Sequence, residues 1–87
     1  MKINANPQAI GEYARYILSF CEEMQHEIKI IHNKTISANG IWKDKFFTET
    51  LTTVENMRRY FDAFTDRSQT LAHQLMQLKS KMEQYLQ

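Results

Sequence analysis

Ser37-Ala38-Asn39-Gly40-Ile41-Trp42-Lys43-Asp44 is the stretch whose reading decides the fold. It holds one of two glycines and the only tryptophan, near the middle of an 87-residue chain. Gly40, or Asn39 beside it, suits the left-handed conformation that closes a helix. Asp44 offers its carboxylate to the free N–H groups of a helix that starts after it. The octet reads as a turn over 39–43 between two helices.

Upstream of the turn, apolar residues fall at Ile10, Ala14, Ile17, Cys21, Met24, Ile28 and Ile31. Alternating steps of four and three make a heptad seam, the pattern of a helix packed along one side. Asn6-Pro7 opens it, because Asn is a good N-cap and the missing proline N–H costs nothing in a first turn. Helix 1 is expected over about 7–38. Downstream, no glycine or proline occurs from Ile41 to Gln87. The second seam runs Phe47, Leu51, Val54, Met57, Phe61, Phe64, then Leu71, Leu75, Leu78, Met82 and Tyr85. Ser68 takes a core-like step where packing loosens, and Thr65 to Thr70 is the stretch poorest in helix formers. One helix over about 44–86 is the simplest reading.

Two long helices joined by a short turn run antiparallel, since each seam needs a partner and the other helix is nearest. The expected fold is all-α, a single antiparallel two-helix hairpin over 1–87. At 1.5 Å per residue the helices measure roughly 48 and 64 Å, so helix 1 runs out near the level of Leu75. The apolar residues beyond that level are left over. Helix 1 also carries Tyr13, Tyr16 and Phe20 on one flank of its seam and Leu18 on the other. Its apolar arc spans roughly 200°, about twice what one neighbouring helix covers. Phe46, Tyr60 and Met76 widen the stripe on helix 2. Both excesses predict dimerisation into a four-helix bundle, because a hairpin this small rarely stabilises itself alone. The expected core and interface positions are Tyr13, Ile17, Phe20, Met24, Leu51, Phe61 and Leu75.

Composition removes other classes. With 43% apolar and 24% charged residues but two glycines and one proline, the chain has too few turn residues for a multi-stranded sheet. A net charge of +1 carries no electrostatic footprint for nucleic acid. No apolar run reaches about 18 residues, so no membrane span is expected, and nothing reads as a signal peptide. The single cysteine, Cys21, has no internal disulfide partner.

Sites of chemistry are equally scarce. Glu23-Met24-Gln25-His26 matches the Glu-x-x-His element of di-metal bundles, but such a site needs two elements and two further glutamates facing the core. Here there is one, on the polar side of helix 1. His26, His32 and His73 share no ligand-like spacing with Cys21, so no metal or cofactor is expected. Cys21 lies on the seam as a small buried residue rather than a reactive thiol. Arg58, four residues before Asp62, reads as half of a helix-surface ion pair. An enzyme is not expected. Trp42 suits a half-buried position over the turn end of the hairpin, or a contact surface there.

Trp42 between two amphipathic helices, with Phe46 or Phe47 shortly after it, resembles the WXG (Trp-x-Gly) family. These are small helical hairpins of bacterial type VII secretion systems. The resemblance covers essentially the whole chain, from Asn6-Pro7 to Tyr85. The motif's glycine is replaced by Asp44, so the loop reads Trp42-Lys43-Asp44 with Gly40 before the tryptophan. The resemblance implies a homodimer or a heterodimer with a related hairpin, and a secretion ATPase or larger secreted substrate as a further partner. It also implies export without a leader, or a cytoplasmic role beside an exported partner. The family's export element, Tyr-x-x-x-Asp/Glu, is incomplete, because only Leu86 and Gln87 follow Tyr85. That points to co-secretion with, or chaperoning of, a partner carrying the element. The alternative is a structural or adaptor coiled-coil subunit with no secretion role.

Overall fold

The computed structural model describes residues 6–86. Helix α1 spans Pro7–Ala38 and helix α2 spans Lys45–Leu86, packed as an antiparallel hairpin of 64 × 17 × 16 Å. The start of α1 follows from its first two residues. Asn6 is extended (φ −114°, ψ 100°), as a residue before proline must be, and its side-chain oxygen accepts from the Ala9 N–H at 3.2 Å. At the start of α2 the Asp44 carboxylate accepts from the Phe47 N–H at 3.0 Å. The helix proper therefore begins one residue after Asp44, which is its cap.

The end of α1 departs from expectation. Among the described residues none has a positive φ, and Asn39 is right-handed (φ −58°, ψ −23°). The helix ends by tightening instead. The N–H groups of Asn39, Gly40 and Ile41 donate to carbonyls three residues back, at 3.1, 3.4 and 3.0 Å, and Trp42 donates to the Ala38 carbonyl at 2.9 Å. Bonds of this 3₁₀ type occupy the last carbonyls, so no left-handed residue is required at Gly40.

The polar stretch Thr65 to Thr70 does not interrupt α2. Thr52, Thr53 and Thr70 donate their hydroxyls to carbonyls one turn back, at 3.0, 3.0 and 3.1 Å. Those bonds let β-branched polar residues sit in a helix without competing for its amides.

The buried line of α1 is the predicted heptad, Ala14, Cys21 and Ile28, with Gly11 beside it; Ile31 is exposed. In α2 the line follows prediction through Phe47 and Val54, then turns. Thr65 and Ala72 are buried in the second half, while the expected Phe64, Leu71, Leu78 and Tyr85 are exposed. The reason is steric. Gly11, Ala14 and Cys21 on α1 are small, and small residues opposite them let two helix axes approach closely. Lys79 lies over Gly11, its Cδ 3.0 Å from where a Cβ would stand. The helices thus overlap about a turn beyond Leu75, and Tyr85, 78% exposed, projects past the end of α1.

Candidate functional site: a one-sided apolar groove

Because small residues fill the seam between the helices, the large ones are displaced sideways, most of them to one side. Tyr13, Tyr16, Ile17, Phe20 and Cys21 of α1 face Phe64, Ser68 and Leu71 of α2 across a groove of about 260 Å³. Its floor is Cys21, Ile17 and Ser68, the last being the small residue at a core-like step. Phe20 and Phe64 meet edge to face across it, with centroids 6.5 Å apart at 76°. Phe64 contacts Phe61 (6.3 Å), which in turn contacts Tyr60 (5.7 Å), so the ring network continues along α2. Tyr16 is 70% exposed, and Phe20, Phe64 and Leu71 each remain open to solvent. Along α2 the exposed ridge Phe64, Leu71, Leu78 and Tyr85 repeats every seven residues, the spacing of a helix that packs lengthwise against another.

The opposite side of the rod is more polar, although Leu18 and Met76 are exposed on it. Gln25, Ile28, Lys29, Arg58, Phe61 and Asp62 line one depression there, and His32, Glu55, Arg58, Arg59 and Asp62 line the next. Arg58 and Asp62 do not form the expected ion pair. The pairs among the described residues are Lys45–Glu49 at 3.9 Å and Lys79–Glu83 at 3.4 Å.

Of the expected interface positions, Tyr13, Ile17 and Phe20 come together on the apolar groove. Met24, Leu51, Phe61 and Leu75 are half-buried along the hairpin seam. The positions that sequence reasoning placed inside, Phe64 and Leu71, supply the other wall of the groove. Trp42 lies edge to face on buried Phe47 (5.6 Å, 71°) and is 37% exposed, covering the turn end of the seam. Cys21 is a buried free thiol. Glu23 and His26 are exposed, and no three His, Cys, Asp or Glu side chains among the described residues gather as a metal site would need. No described helix is long and apolar enough to cross a membrane.

The chain exposes 7105 Å², whereas a compact monomer of 10.4 kDa exposes about 5,400 Å². Part of the difference belongs to the rod shape itself. A rod sheds such surface by lying alongside another, and the excess per chain is about twice the roughly 800 Å² that each partner buries in a standard protein interface.

Compared with protein-family models, with curated proteins and with solved structures, the chain matches none.

Proposed function

We propose that this chain is a non-enzymatic pairing module: a helical hairpin that completes its core against a second hairpin, its own copy or a related chain, in a four-helix bundle. The observation that carries the reading is the apolar groove confined to one side of the rod, walled by Phe20 and Tyr13 on α1 and by Phe64 and Leu71 on α2. In a four-helix bundle each helix meets two neighbours. Here the small stripe meets the hairpin partner, and the large stripe is left for the second neighbour. We further propose that the module serves a type VII secretion pathway, as an exported protein or as the co-secreted or chaperoning partner of one. That part is supported by the resemblance of the Trp42 turn and its flanking helices to the WXG hairpins.

The test has two readouts. Light scattering on the chain alone, and after co-expression with products of neighbouring genes, gives the stoichiometry. Ile17→Asp, at the groove floor, is expected to abolish the larger mass, and an unchanged mass would sink the pairing reading. Export is read by appearance in the culture medium with and without the secretion ATPase. Export indifferent to the ATPase and to Trp42→Ala would leave the adaptor coiled coil as the better account.

A further inference from the structure

The turn end of the rod is apolar in a way that neither the hairpin core nor the lateral groove explains. Ile41 is 93% exposed, an aliphatic side chain at the tip with almost no protein against it. Phe46 and Ile36, each five residues from it in sequence, are exposed, and Trp42 is partly open to solvent. These residues ring the tip rather than sharing a face. Phe46 stands eighteen residues, five full turns, before Phe64 and so lies on the groove side of α2. Ile36 follows His32 by one turn and lies on the charged side of α1. Basic residues are set among them. Lys34, Lys43 and Lys45 are exposed, Lys45 lying 3.9 Å from Glu49 one turn into α2, while the one acid in the turn, Asp44, is occupied in capping α2.

We propose that this tip is an interfacial anchor that enters the headgroup layer of an anionic lipid bilayer end-on. A protein partner would have to supply a socket closing around a convex knob from every side. A lipid interface accepts such a knob without a matching shape. The composition fits the same occupant: Trp and Phe favour the boundary between headgroups and acyl chains, and lysines ringing them meet anionic headgroups. The anchor is separate from the lateral groove, because Phe64 lies about 28 Å along α2 from the tip. It does not rest on the pairing reading.

The only tryptophan of the chain, Trp42, is its own reporter. Its emission is measured while the full chain is titrated with vesicles of equal parts phosphatidylcholine and phosphatidylglycerol, and separately with pure phosphatidylcholine, alongside co-sedimentation. The expected result is a blue shift and sedimentation with the anionic vesicles, weakened by added salt, and much less of both on the neutral ones. Ile41→Asp is expected to weaken partitioning at least about tenfold, since it removes the aliphatic side chain that the bilayer would bury. Lys43→Glu is expected to cost about fivefold or more on anionic vesicles only. Both positions are exposed, so unchanged helical circular dichroism confirms the fold. No blue shift with anionic vesicles at low salt would overturn the proposal. So would binding that survives Ile41→Asp but is lost in Phe20→Asp, which would assign the lipid contact to the groove.

Discussion

At the scale of single residues, Gly11 and Asp44 carry opposite expectations. Gly11 sits inside α1, where glycine costs roughly 1 kcal/mol relative to alanine. A Cβ there would meet Lys79 Cδ at 3.0 Å and Cε at 3.1 Å, both in the outer part of a flexible side chain. Lys79 can swing outward with its Glu83 contact, so the helix term wins. Gly11→Ala is expected to raise the unfolding free energy by up to about 1 kcal/mol, read as a higher midpoint in urea with the same slope. Asp44 is different, because nothing else in the turn is seen bonding the Phe47 N–H. Asp44→Ala is expected to cost about 1 kcal/mol, with Asp44→Asn recovering most of it. Equal losses for the two variants in thermal melts would show that charge at the helix start, not the cap bond, is what matters.

At the scale of the helices, the deciding event is which stripe of α2 turns inward. Both lines of residues satisfy a seven-residue repeat: Phe64, Leu71 and Leu78 on one, Thr65, Ala72 and Lys79 on the next. Hydrophobicity favours the first, and that is what the sequence pattern predicts. Packing favours the second, because Gly11, Ala14 and Cys21 on α1 leave room for a close approach that Thr65, Ala72 and the unbranched stem of Lys79 fill. The pattern of one helix cannot express that preference, since it belongs to the pair. The helix starts are legible for the opposite reason: Asn6-Pro7 and Asp44 act on backbone groups within three residues. The finish of α1 differs at Gly40 because a glycine permits a left-handed turn without requiring one. The groove is half legible, through Tyr13, Ile17 and Phe20, while the pattern of α2 puts Phe64 and Leu71 in the interior. Close approach makes Ala72, 1% exposed, the sensitive point. Ala72→Leu is more hydrophobic, yet it is expected to destabilise by about 1–3 kcal/mol through overpacking. A melt showing Ala72→Leu as stable as the parent would mean that the helices are not held at close range.

At the scale of the whole molecule, a rod only 16–17 Å across has little interior, and its stability depends on what lies beside it. If the groove side is closed by a second hairpin, folding and association are linked, and the melting temperature must rise with protein concentration. Leu71→Asp separates the two. Leu71 is exposed in the single hairpin, so a carboxylate there costs the isolated fold little. In the bundle the same carboxylate would be buried against apolar rings, where an unpaired charge is not tolerated. The variant is therefore expected to keep its helical circular dichroism at low temperature, to halve in mass by light scattering, and to lose the concentration dependence of its melting temperature. Because the contact is apolar, the parent's association should change little with salt, whereas an association carried by the charged side around Arg58 and Asp62 would weaken as salt rises. A melting temperature flat with concentration in the parent itself would remove the thermodynamic basis for pairing, whatever the groove looks like.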